Sequence, residues 1–78
     1  MPTTLRTGPY RFFFYSNDRA EAPHIHVARE RRIAKFWLTP VRLASAGRFS
    51  SAEVRQIERI VEEEQEWLKK AWDEFFER

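Results

Sequence analysis

Apolar positions follow two different rhythms along this chain, one of period two and one of period three to four. Tyr10 to Tyr15 is aromatic with Arg11 as its single charge, the make-up of a strand covered on one face and partly covered on the other. His24-Ile25-His26-Val27-Ala28 alternates, so His24 and His26 share one side and Ile25 and Val27 the other. Arg29-Glu30-Arg31-Arg32 reads as a charged turn, and Ile33 to Leu38 resumes the strand pattern, which predicts an antiparallel hairpin. After a break at Thr39-Pro40, Val41 to Ala44 is a short fourth strand with Val41 and Leu43 toward the core. Met1 to Gly8 carries no apolar period and is expected to be a flexible lead-in.

From residue 50 the rhythm becomes helical. Ser50 and Glu53 form a capping-box pattern, Phe49 is placed to staple onto Val54, and Gly47 supplies backbone freedom just upstream. Val54, Ile57, Val61, Leu68, Trp72 and Phe75 recur at helical steps, and Ile60, Trp67, Ala71 and Phe76 widen the stripe. One helix over residues 50–77 would be roughly 40 Å long, whereas a six-residue strand spans about 20 Å. Its far half would overhang the sheet and expose Trp67, Trp72, Phe75 and Phe76, which predicts burial of these four by another chain. The other solution is a bend near Glu62-Glu63-Glu64 that packs both halves at home. The expected fold is α+β: a three- or four-stranded, mainly antiparallel sheet over residues 9–46, then one long C-terminal helix packed on one face.

Length adds that 78 residues leave room for one domain with one small core, too small to be strongly stable alone. With no cysteine, a disulfide framework, a thiolate metal site and a cysteine nucleophile are excluded. No run approaches a membrane span and no signal-peptide pattern opens the chain, so a cytoplasmic, membrane-free protein is expected. Charge is divided: residues 1–49 hold nine Arg/Lys against three Asp/Glu, and residues 50–78 hold five against nine. A basic sheet can face phosphates, or it can simply complement an acidic helix.

Candidate chemistry centres on Pro23-His24-Ile25-His26-Val27. Two strand histidines at i and i+2 project together with Cα atoms about 6.5–7 Å apart, close enough to converge on one ion or one phosphate. A transition metal wants three or four ligands, and the other donors, Asp18, Glu21 and Glu30, lie in loops. No metal or cofactor is therefore assigned, and a metal-binding protein using His24 and His26 stays an alternative. Metal-independent RNA cleavage needs a base, an acid and cations for the phosphate. His24, His26, Lys35 and Tyr15 are the candidate catalytic residues for it, with Arg11, Arg29, Arg31 and Arg32 as candidate nucleic-acid contacts. Phe13, Tyr15 or Trp37 could serve as stacking surfaces on an open face. Each of these residues is also ordinary for a solvated sheet.

The order Pro9-Tyr10-Arg11-Phe12-Phe13-Phe14-Tyr15-Ser16, then Pro23-His24-Ile25-His26-Val27, then Ala34 to Leu38 and Ala44 to Phe49 before an acidic helix, resembles the DUF4160 family of small bacterial proteins. The likeness runs from about Gly8 to Phe76. Members of that family are often encoded beside a second small protein, an arrangement similar to toxin-antitoxin modules, which implies a toxin-like component of a prokaryotic pair. Joined to the charge division and the histidine pair, the resemblance leads to the expectation of action on RNA or translation through the basic sheet face, held inactive by a small antitoxin-like partner. The aromatic helix implies either that partner or a homodimer. A second class of reading is a non-enzymatic binding module, an adaptor or antitoxin-like subunit, that works through its C-terminal helix.

Overall fold

The computed structural model describes residues 3–76. Five strands form one antiparallel meander in chain order: β1 (Thr3–Thr7), β2 (Tyr10–Phe13), β3 (His24–Arg29), β4 (Arg32–Leu38) and β5 (Val41–Ser45). Two helical segments follow, α1 (Ser51–Glu63) and α2 (Gln65–Phe75), and a 3-10 turn, Ser16–Ala20, lies between β2 and β3. The architecture is α+β as expected, with corrections to the number of strands and of helices.

The fifth strand comes from the stretch expected as a lead-in. Thr3–Thr7 reads Thr-Thr-Leu-Arg-Thr, with Leu5 its single apolar residue and no strand pattern of its own, but Gly8 at φ 58 closes a two-residue turn with Pro9 and sets Thr7 opposite Tyr10. Strand pairing supplied by β2 completes what local propensity left undecided. The β3–β4 hairpin forms as predicted, with Arg29 opposite Arg32 and His26 opposite Lys35. In β5, Val41 packs against the core whereas Leu43 is exposed, so the expectation that both face inward holds only for Val41.

One face of the sheet, carrying Phe12, Phe14, Ile25, Val27, Ala34, Phe36 and Leu38, is buried against Ile57, Val61, Leu68 and Trp72 of the helices. Gly47, at φ 57, lets the chain pass against β4 before α1 begins: a Cβ there would lie 1.7 Å from the Ile33 carbonyl oxygen. Ser50 caps α1 by accepting the Glu53 N–H at 3.2 Å. Phe49 is buried beside it, with Val54 packed against the same core.

The single long helix is corrected to two segments joined at Glu64, where φ −101 and ψ 14 leave the helical basin. Hydrogen bonds from Glu64 N to Ile60 O and from Leu68 N to Glu64 O carry the ladder across, so the junction is a bend. The physical reason is packing on a sheet shorter than a straight helix: the bend lets Ile57 and Val61 of α1 and Leu68 and Trp72 of α2 all bury in one core, in a molecule whose longest dimension is 34 Å. Gln65 Nε2 donates to the Leu38 carbonyl at 2.7 Å and draws the start of α2 down onto the end of β4. The overhang is thereby removed. Trp72 and Phe76 are buried within their own chain, and Phe75 packs against the same core. Of the four residues assigned to a partner, Trp67 alone stays exposed, at 47%. Glu77, the expected last helical residue, lies outside the described residues. Among the described residues no helix is long and apolar enough to cross a membrane.

Candidate functional site

The sheet face opposite the helices has a different make-up. Strand alternation and register place Arg6 beside Arg11, Arg11 beside Ala28, Phe13 beside His26, His26 beside Lys35, and Trp37 beside Arg42 on this face. None of the five strands contains an Asp or Glu. Arg11 lies over the Phe13 ring at 5.4 Å and the Lys35 ammonium over the Trp37 ring at 4.7 Å. Ala22, Trp37, Thr39, Pro40 and Arg42 line a shallow cleft at the margin.

At one end of this face the 3-10 turn folds over the histidine pair. Asp18 is fixed from within its own loop, since Oδ2 accepts the Tyr15 backbone N–H at 2.8 Å while Asp18 N donates to Tyr15 O at 3.1 Å. The same Oδ2 lies 3.1 Å from His26 Nε2 and 3.2 Å from His24 Nε2. His24 is fully buried, with its ring against His26 and Trp72 at 5.1 Å each and Trp37 at 5.6 Å. Its Nδ1 lies 2.8 Å from the Ala22 carbonyl oxygen. A carbonyl only accepts, so Nδ1 carries the proton, and in the neutral ring Nε2 is left with a lone pair. Among the described residues Nε2 has no aligned hydrogen-bond partner, although the Asp18 oxygen is close.

His26 is nearly buried, and desolvation holds its imidazole below the ordinary value, with the nearby His24 adding to this against the opposing pull of Asp18. Phe13 stacks on it and Tyr15 meets its ring edge at 4.6 Å. Lys35 sits directly across the strand and is paired with Glu21. That hydrogen bond lowers the Glu21 carboxyl below its usual value. The four residues expected to share chemistry, Tyr15, His24, His26 and Lys35, are therefore brought to one end of the open face.

The candidate arginines divide. Arg11 belongs to the open face. Arg29 Nη1 donates to Glu53 Oε2 at 2.7 Å, with Arg32 3.9 Å from the other oxygen, so both are turned to the start of α1. Arg31 is exposed in a cleft with Glu30, Arg32 and Arg48 at the far end of the hairpin. Glu53 does not complete the capping box: its carboxylate accepts the Tyr10 hydroxyl at 2.8 Å as well as Arg29. These two contacts hold it below the ordinary carboxylate value. The residue that sequence reasoning could not position is Asp18. Its signal was the Asn17-Asp18 turn three residues after Tyr15, which says where a carboxylate caps a turn and not what lies above it.

The fold and site together define a class: a small α+β domain in which a five-stranded meander backed by two helices presents a carboxylate-bridged histidine pair. The chain belongs to the DUF4160 family, a domain of unknown function whose family model matches residues 10–73. No curated protein and no solved structure matches it.

Proposed function

We propose that this protein is the toxin-like component of a two-protein prokaryotic module and engages single-stranded RNA on the open face of its sheet. The supporting observation is the make-up of that face. Arg6, Arg11 and Arg42 share it with Trp37 and with Lys35, which Glu21 of the covering loop pairs, and the strands themselves carry no carboxylate. Cations neutralise phosphates, while an aromatic ring offers a sequence-tolerant platform for a base. Trp37 beside Arg42 in a cleft has both parts. The Asp18-His24-His26 cluster lies at the margin of the same face, where a bound strand would pass it.

Fluorescence anisotropy with a labelled single-stranded RNA tests the reading. Binding is expected to weaken as salt rises, and Arg11→Gln/Lys35→Gln/Arg42→Gln is expected to reduce the log–log salt slope by about 2, since each phosphate neutralised on a single strand contributes about 0.7. Absent binding, or a slope unchanged in the triple variant, overturns the RNA-binding surface. Inducible expression in a bacterial host, with and without the small antitoxin-like protein expected to be encoded beside it, tests the toxin-like role: growth arrest relieved by that partner is expected. A folded protein without effect on growth counts against it.

A further inference from the structure

We propose that Asp18, His24 and His26 form a binding site for one divalent first-row transition-metal ion of the zinc type. The geometry carries this independently of any RNA. Asp18 Oδ2 lies 3.2 and 3.1 Å from the two Nε2 atoms, and the three ligand atoms all fall within 4.8 Å of one another. Around an ion with bonds of about 2.0–2.1 Å, ligand atoms stand roughly 2.9–3.4 Å apart, so two of the three separations already suit a shared ion.

The buried ring nitrogen supplies the second observation. With Nδ1–H committed to the Ala22 carbonyl, the neutral His24 ring turns the lone pair of Nε2 toward an Asp18 carboxylate oxygen 3.2 Å away, also a lone-pair group. Two acceptors 3.2 Å apart in a buried setting repel unless a proton or a metal cation is shared between them. His26 Nε2 faces the same oxygen, so one centre of positive charge answers all three groups. The Nδ1–H to carbonyl bond is the outer contact that metal-bound imidazoles typically make, because it fixes the tautomer and orients the ring. Trp72 and Trp37 hold the His24 ring in place from two further sides.

Two imidazoles and one carboxylate select a borderline ion such as Zn²⁺, Co²⁺ or Ni²⁺ over Mg²⁺ or Ca²⁺, which prefer all-oxygen shells. Three protein ligands leave the coordination incomplete. Solvent or a small ligand completes it from the edge where the Asp18 and His26 side chains each keep 11% exposure. Glu21 is not a ligand in this arrangement, since its oxygen approaches the Nδ1 side of His24 and pairs with Lys35. The ion would also tie the Ser16–Ala20 turn to β3, joining a loop to the sheet it covers.

The test uses the full chain purified without a histidine tag, stripped with chelator and titrated with Co²⁺ and then Zn²⁺. Visible d–d absorption saturating at one equivalent of Co²⁺, and its loss when Zn²⁺ displaces the cobalt, are expected. Asp18→Asn, which keeps the size and the Tyr15 N–H contact, is expected to weaken binding by about 100-fold or more, beyond the 10–100-fold typical of outer-shell changes. Its circular dichroism should stay native. His26→Gln, altered at the exposed edge, gives the same comparison should Asp18→Asn fail to fold. Absence of d–d bands in the native chain overturns the site, as does Co²⁺ affinity unchanged in a folded variant. RNA anisotropy in excess chelator separates the two proposals: unchanged RNA binding with no metal leaves the open face intact and removes only the ion.

Discussion

Two carboxylates on this small frame sit among partners at similar distances and do different things. Glu53 is surrounded by donors, the Tyr10 hydroxyl and the Arg29 guanidinium, so its charge is neutralised and its lone pairs are used. Asp18 takes one backbone N–H and also faces two imidazole nitrogens, of which the His24 Nε2 presents a lone pair in the neutral ring. The first cluster is a closed account that fastens α1 to β2 and β3. The second needs a proton or a cation to be complete. Distance alone does not separate a structural ion pair from a ligand site; the direction of the protons does.

The largest effect that probes this contrast is expected from Trp72→Ala. Its ring joins Phe14 of the core to His24 of the cluster, and truncation of a buried tryptophan costs about 3–5 kcal/mol. Chemical denaturation should show this loss, and a change below about 1 kcal/mol would mean that the α2 packing is not as described. Next comes the response to Zn²⁺, read as the thermal midpoint. At a free concentration 100 times Kd, one site stabilises by about 2.7 kcal/mol. Native protein and Glu53→Gln should both gain it and Asp18→Asn should not; an equal gain in all three would erase the distinction between the carboxylates. Ser50→Ala is smaller, about 1 kcal/mol, because it removes the acceptor that orders the first turn of α1 and positions Glu53. An unchanged denaturation midpoint would show the cap to be idle.

The finest probe is pH. Hydrogen bonding from Tyr10, then from Arg29, lowers the Glu53 pKa below its ordinary 4.5 in the folded chain. Its contribution is therefore present above 4.5 and lost as pH falls through the lowered value. Burial and Glu53 raise Tyr10 above 10.0, so the same contact is lost again when pH rises through that raised value. The stability difference between native protein and Glu53→Gln should be full near neutrality and shrink on the acid side. A difference independent of pH from neutrality down to strong acid would remove the ionised contact from the account.

What could be read from the chain alone is local in origin. Alternation in His24–Ala28 and Ile33–Leu38 fixes which side chains share a face, because the strand period is two wherever the strand lies. Ser50 and the Val54-to-Trp72 stripe mark a helix for the same reason, and the pairing of two histidines on one side was legible at once. Thr3–Thr7 was not, since a segment with no strand pattern of its own becomes a strand only beside a partner, and β2 provides it. Nor was the bend at Glu64, whose cause is the size of the sheet and the Leu38 carbonyl that Gln65 finds there. The ligand set belongs to the same category. Asp18 is only six residues from His24 in sequence, yet its oxygen reaches both rings because the 3-10 turn folds back over the sheet. Tertiary structure alone decided that Trp72 would bury the His24 ring and leave its second nitrogen without a hydrogen-bond partner among the described residues, since that contact joins residues 48 positions apart that only the folded core brings together.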